Sequence, residues 1–362
     1  MNSVLQLLNY APPYGGNFMA SIRNLAEALR QKGMQTVFVL PPRARDRDWA
    51  HALQTDGYPV YFLPGGTFAA AKLLRRCIRR HGVRLVHSHF IDSCAYLPLR
   101  LATLFRHIPH IFHAHSLPKY TAGFKTNLRR RLLHADKILC VSDAVRKAYA
   151  ALGFPNCVTV PNGIDFDRLH TAEPFPKPSP CILMFGYDFQ IKGIDTALHA
   201  LDFFDPTHRY TLRICVANHM DRAVEFLRQN FGGIPEWVQL LEPRSDVGTY
   251  FQSADIFLSA SRTEGMPYAV LEAAYCGLPL VLSSIEPHKE LRLPQAEFFV
   301  PDDQKALFQA VCRAQGVPRG INTRFVREKF ALQTWTECVL AQFPSIPGRK
   351  EESHEQQHKH EN

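Results

Sequence analysis

Between positions 254 and 284 the chain reads ADIFLSASRTEGMPYAVLEAAYCGLPLVLSS, and this stretch restricts the fold more than any other. Ile256, Phe257 and Leu258 form an apolar run of buried-strand length. A polar turn from Ser259 to Gly265 follows. Pro267 then suits the first position of a helix, where its missing N–H costs nothing. Val270, Leu271, Ala274 and Tyr275 recur at helical spacing, and Gly277 with Pro279 stops the helix. Residues 278–282 are apolar again, so the stretch predicts strand, loop, helix, strand. Two carboxylates mark it, Glu264 before the helix and Glu272 within it.

The same alternation fills the rest of the chain. Residues 4–8 read as a strand, Pro12-Pro13-Tyr14-Gly15-Gly16 as a turn, and 18–32 as a helix with Ile22, Leu25, Ala26 and Leu29 on one face. Strands are expected at 36–40, 83–86, 110–112, 137–141 and 158–160. A proline-rich segment, TAEPFPKPSP at 171–180, has the composition of a semi-rigid linker. The pattern then restarts with strands at 181–185, 210–216 and 237–241 and a helix at 195–201. Two strand–helix series imply an α/β protein of two Rossmann-like, doubly wound domains with a site in the cleft between them. The expected boundaries are 1–170 and 171–322, then one amphipathic helix at 323–343 that crosses back, and a disordered polar tail at 344–362.

Composition excludes several classes. With 46% hydrophobic and 21% charged residues the chain can bury globular cores. No apolar run approaches the roughly 20 residues of a membrane span. No basic segment precedes the first apolar one, so no signal peptide is read. The nine cysteines are scattered, without a C-x-x-C pair, as reduced thiols in a cytosolic protein would be. Charge is uneven: residues 1–170 carry 23 Lys and Arg against 9 Asp and Glu, and 171–362 carry 19 against 24. Only the first half is therefore expected to face an anionic partner.

Several residues invite a chemical reading beside a structural one. Gly15 and Gly16 suit either a tight turn or close approach of backbone to a phosphate, but do not form a G-x-G-x-x-G fingerprint. Lys72, Arg75, Arg76, Arg79 and Arg80 fall on one helical face, which is either solvated or laid on anionic lipid or phosphate. A second basic run, Lys125 with Arg129, Arg130 and Arg131, lies in the same half. His87 with His89 and His113 with His115 stand at expected strand ends. Their alternation would suit a metal, but no Cys or carboxylate completes a set, so hydrogen-bonded structural roles are expected. The pairs Asp46/Asp48 and Asp165/Asp167 are the kind that arises by chance, and no metal site is assigned.

Taken in order, PPYGG, ADKILCVSDAV at 135–145, VPNGID at 160–165, FGYDFQIKGID at 185–195 and the Glu264–Glu272 spacing resemble the retaining GT-B glycosyltransferases of family 4, over roughly 1–343. The resemblance implies transfer of a sugar from a nucleotide-sugar donor with no obligatory cofactor or metal. It implies that Lys192, Gly15, Gly16 and the N–H groups of Gly265 and Met266 hold the diphosphate, and that Glu272 grips the ribose. Glu264 would hold the transferred sugar, with His115, or alternatively His113, near the reacting centre. One departure stands out. Tyr187 follows Gly186 where the family usually has arginine, leaving a charge-assisted contact unfilled, and Arg262 is the candidate replacement.

The reading is a retaining glycosyltransferase using a UDP- or GDP-sugar and a saccharide or lipid-linked acceptor in bacterial envelope, lipopolysaccharide or exopolysaccharide synthesis. It is expected to be cytoplasmic, with the basic face offering a peripheral hold on the anionic inner membrane surface and no nucleic-acid partner. The rivals are a nucleotide-sugar epimerase of the same architecture, a non-enzymatic polyanion-binding protein, and a transferase that no longer turns over.

Overall fold

The computed structural model describes residues 2–344 apart from 91–92, 105–106, 119–133, 155, 171–173, 177–179, 187 and 217–219. The first sheet contains β1 (Ser3–Leu8), β2 (Gln35–Leu40), β3 (Val60–Phe62), β4 (Val83–His89), β5 (His110–Ala114), β6 (Lys137–Cys140) and β7 (Cys157–Thr159). Its order is β3-β2-β1-β4-β5-β6-β7. The second contains β8 (Cys181–Gly186), β9 (Thr211–Val216), β10 (Val238–Leu241), β11 (Ile256–Ser259), β12 (Leu280–Ser283) and β13 (Glu297–Phe299), ordered β10-β9-β8-β11-β12-β13. All pairings are parallel. Sheets of this kind are covered on both faces, which is why β1 reads SVLQLL and is buried throughout. The two doubly wound domains expected from the alternation are present.

Strand order reverses between β1 and β4 and again between β8 and β11. A crevice opens at such a reversal, at the C-terminal ends of the strands. The loop after β1, the turn after β8 and the turn after β11 all emerge there. One buried apolar cluster runs from Leu5, Val86 and Phe112 of the first unit to Phe257, Leu271 and Leu282 of the second.

Two local expectations need correcting. Pro267 is not the first helical residue; it caps the helix Tyr268–Tyr275 in an extended conformation. Residues 323–343 form two helices, Thr323–Lys329 and Leu332–Gln342. The break arises because the Phe330 carbonyl accepts the Ile164 N–H at 2.7 Å and Ala331 is extended. Leu332–Gln342 then lies on Gly16–Gln31, where Trp335 and Val339 join the apolar cluster of Ile22 and Leu25. Thr336 Oγ1 donates to Asn24 Oδ1 at 2.7 Å, and Lys137 Nζ to the Gln342 carbonyl at 3.1 Å.

The basic helix spans Thr67–Arg80. Ala70, Ala71, Leu74, Cys77 and Ile78 are buried, whereas Lys72, Arg75, Arg76, Arg79 and Arg80 are exposed. Phe68, 82% exposed, lies on this same face at i−4 from Lys72 and i−7 from Arg75. The second basic run falls outside the described residues, as do Tyr187, most of the linker and the tail from 345 onward.

Candidate active site

The loop after β1 is closed by Tyr10, whose hydroxyl donates to the Gly15 carbonyl at 3.0 Å. Gly16 has φ +59°, the left-handed region that favours glycine, and lines the cleft cavity. The turn reading and the ligand-facing reading of the glycine pair are therefore compatible. Asn17, next in the chain, ties the units together. Its Nδ2 donates to Glu272 Oε1 at 2.6 Å, and its Oδ1 accepts the Asp165 N–H at 3.0 Å.

Glu272 projects from Tyr268–Tyr275 into this contact and is only 6% exposed. Arg168 Nη1 reaches the same Oε1 at 3.4 Å. Burial raises the Glu272 carboxyl above the ordinary glutamate range, and Arg168 and Asn17 pull it back. Donors aimed at this carboxylate, such as ribose hydroxyls, would relieve the cost of burying its charge.

Glu264 and Lys192 meet in the turns after β11 and β8. Lys192 Nζ lies 2.6 Å from Glu264 Oε1, which also accepts Ser261 Oγ at 2.7 Å. Gly186 ends β8 against the Lys192 aliphatic chain. Gly265 follows Glu264 and is pressed against the first unit. A Cβ there would stand 2.1 Å from the His115 carbonyl oxygen. That contact sets the seam between the units, and Met266 beyond it lines the cavity.

Arg262, the expected replacement cation, is held by acidic residues of its own domain and is not part of the lining of the cleft cavity. Its Nε donates to Asp302, Nη1 to Asp195 and the Gln190 carbonyl, and Nη2 to Asp195 and Thr196. A guanidinium has five N–H donors, so none is left for a diphosphate. The paired Asp195 and Asp302 account for this, and Tyr187 itself lies outside the described residues.

The histidines form a stack rather than isolated side chains. His89 Nδ1 is 3.0 Å from His115 Nε2, and His89 Nε2 is 3.3 Å from His87 Nδ1. The His113 ring stacks on His115 with centroids 4.6 Å apart. Burial pushes His87, His89 and His115 well below the ordinary histidine range and His113 to about 3. All four are neutral at pH 7. His115 lines the cavity, whereas His113, the alternative, is fully buried behind it.

The cavity is about 480 Å³, within the roughly 300–1,000 Å³ of small-molecule sites. It gathers Gly16, His115, Met266 and Glu272, with Tyr10, Phe18, Phe90, Phe185 and Tyr268 as aromatic walls. Gly15, Gly186, Lys192, Glu264 and Gly265 are not part of its lining, nor are the five basic residues of Thr67–Arg80. Asn17 and Arg168 were not legible as site residues. Asn17 looks like an ordinary residue of the first helical turn, and Arg168 is one cation beyond the VPNGID turn. Of the Asp-x-Asp pairs, Asp46 and Asp48 are exposed, and Asp165 Oδ1 accepts the Asp167 N–H at 3.2 Å.

Residues 20–168 match the family described as Glycosyltransferase Family 4, and residues 179–315 that described as Glycosyl transferases group 1. The chain is 26% identical over 318 residues to a phosphatidyl-myo-inositol mannosyltransferase of Mycobacterium leprae, covering 82% of this chain and 83% of the relative. It is 20% identical over 383 residues to a GDP-mannose-dependent alpha-(1-6)-phosphatidylinositol dimannoside mannosyltransferase of Mycobacterium tuberculosis, covering 95% of each. In fold it superimposes on Anabaena HepE in complex with UDP-glucose with a TM-score of 0.74 at 16% identity, over 94% of this chain and 98% of the other. The architecture is GT-B.

Proposed function

The chain belongs to the group 1 glycosyltransferases, with a family 4 N-terminal half, and from that premise we propose that it moves a sugar from a UDP- or GDP-sugar to a lipid-linked saccharide with retention at the anomeric carbon. The observation that carries this reading is Glu272, a buried carboxylate held by nitrogen donors inside the cleft cavity. A ribose diol would compete for that carboxylate. The diphosphate would lie toward the start of Tyr268–Tyr275 and draw on Lys192, with Arg168, a cation that lines the cavity, as a candidate second positive charge. Once a diphosphate draws Lys192 away, Glu264 is free to accept a sugar hydroxyl.

Among the described residues lining the cavity, Glu272 is the one carboxylate, and His115 is neutral. No partner carboxylate is therefore placed for a two-step displacement. Departure of the diphosphate followed by attack from the same face accounts for retention. The names of the mycobacterial relatives support a lipid-linked acceptor. No helix among the described residues is long and apolar enough to cross a membrane. The exposed basic face with Phe68 at its N-terminal end suits an anionic bilayer of the inner bacterial surface, and envelope polysaccharide synthesis is the setting this reading favours.

Two experiments test this. Product NMR after turnover with a nucleotide sugar and a lipid extract is expected to give the donor's anomeric configuration, and inversion would overturn the mechanism. Vesicle sedimentation is expected to favour anionic over neutral lipid, with Arg75→Glu/Arg79→Glu abolishing the preference; equal binding to both vesicles removes the membrane reading.

A further inference from the structure

We propose that His87, His89 and His113 form a buried three-imidazole site for a transition-metal ion, zinc being the ion this donor set suits. Strand alternation puts His87 and His89 on one face of β4. The parallel register then sets His113 of β5 directly beside His89. One nitrogen from each ring lies within 4.8 Å of the other two. His87 Nδ1 and His89 Nε2 are 3.3 Å apart, close to the roughly 3.3–3.4 Å edge of a tetrahedron with metal–nitrogen bonds of about 2.0–2.1 Å.

The second observation is what these rings lack. All three are 0% exposed, yet His87 Nε2 and both nitrogens of His113 have no hydrogen-bond partner among the described residues. Buried polar atoms are rarely left so, and rings that served only to fill space would be better replaced by phenylalanine. An ion held by His87 Nδ1, His89 Nε2 and one nitrogen of His113 gives one of these orphaned atoms, on His113, a partner. Its surroundings are apolar and aromatic: Trp335 stacks on His113, Phe343 meets His87 edge-on and Phe18 meets His89. Three protein ligands with a fourth position open is a known zinc stoichiometry, and imidazole suits zinc, copper and nickel.

A consequence reaches the cavity. With His89 Nε2 on the ion, its Nδ1 carries the proton and donates to His115 Nε2, 3.0 Å away. His115 is then held in the tautomer protonated at Nδ1. This consequence rests on the active-site reading of His115; metal binding itself does not.

The test uses the full chain, dialysed against chelator and titrated with zinc by calorimetry and with cobalt(II) by visible absorption. One tightly bound equivalent is expected, with the band pattern of tetrahedral nitrogen ligation. His113→Phe, which keeps a ring against Trp335, is expected to weaken binding by about 100-fold or more, while His115→Gln keeps it. Failure of the native protein to bind one equivalent, undiminished binding by His113→Phe, or thiolate charge-transfer bands from the cysteines would overturn the proposal. Should His113→Phe not fold, zinc X-ray absorption on the native protein decides. Three nitrogens at about 2.0–2.1 Å support the site, and sulfur at about 2.3 Å rules it out.

Discussion

Replacing Gly265 by alanine adds one methyl group at the seam between the two units. Its carbon would stand 2.1 Å from the His115 carbonyl oxygen, 2.9 Å from that carbonyl carbon and 3.1 Å from Ser116 Cα. Unbonded carbon atoms settle at about 3.5–4.0 Å, so the seam must open by more than roughly 1 Å. The obstructing atoms are backbone and cannot rotate aside. Overpacking typically costs about 1–3 kcal/mol, and a backbone obstruction belongs at the upper end. At about 1.4 kcal/mol per tenfold, 3 kcal/mol lowers the population of the closed seam roughly 100-fold. The N–H of residue 265 is kept, so a contact made by that N–H alone is not removed. The expected result is turnover reduced by about 100-fold, with a folded protein by circular dichroism and a larger radius of gyration by X-ray scattering. Native turnover in Gly265→Ala would refute the reasoning, because the methyl group would have been taken in without moving the units.

The remaining predictions address single side chains. Arg168→Ala removes a charged contact worth about 1.5–3 kcal/mol and is expected to weaken donor binding roughly 10–100-fold by calorimetry; unchanged affinity would exclude it as the second cation. Glu264→Gln should cut turnover with a smaller effect on nucleotide affinity, and native turnover would remove Glu264 from the sugar site. Acid should destabilise the fold through the buried histidines. The folded-state pKa of His113, about 3, lies below the unfolded value of about 6.5, so its contribution is complete above pH 6.5 and is lost as pH falls. At pH 5 the loss is about 2 kcal/mol for that one ring, measurable by urea unfolding of chelator-treated protein at pH 7.5 and 5.0. Equal stabilities at the two pH values would contradict the burial argument.

What could be read from the sequence was what local chemistry dictates. The apolar run at 256–258, the helical spacing from Val270 to Tyr275 and the Gly277 stop are short-range signals, and the strand–helix–strand unit follows from them. Glu264 and Glu272 were legible as site candidates because their spacing is local too. Strand order was not, because parallel neighbours such as β1 and β4 are brought together only by the crossovers. Asn17 and Arg168 were missed for the same reason, since they reach Glu272 across separations of 255 and 104 residues. The acidic partners that occupy Arg262 were not legible either, because Asp195 opens the helix Ile194–Phe204 and Asp302 lies in a turn far along the chain. The break at Phe330 was illegible because Ile164, far away in the chain, creates it. His113 gained its meaning only from the register of β5 against β4.

The central claim is that the cleft holds a nucleoside-diphosphate sugar with Glu272 on its ribose. A thermal-shift panel of UDP- and GDP-sugars against native protein and Glu272→Ala tests it most directly. A ligand present at 100 times its Kd stabilises the folded state by about 2.7 kcal/mol, so at least one donor is expected to raise the native melting temperature by several degrees. Glu272→Ala should lose most of that rise. No shift in the native protein by any donor, or an equal shift in the variant, would contradict the account.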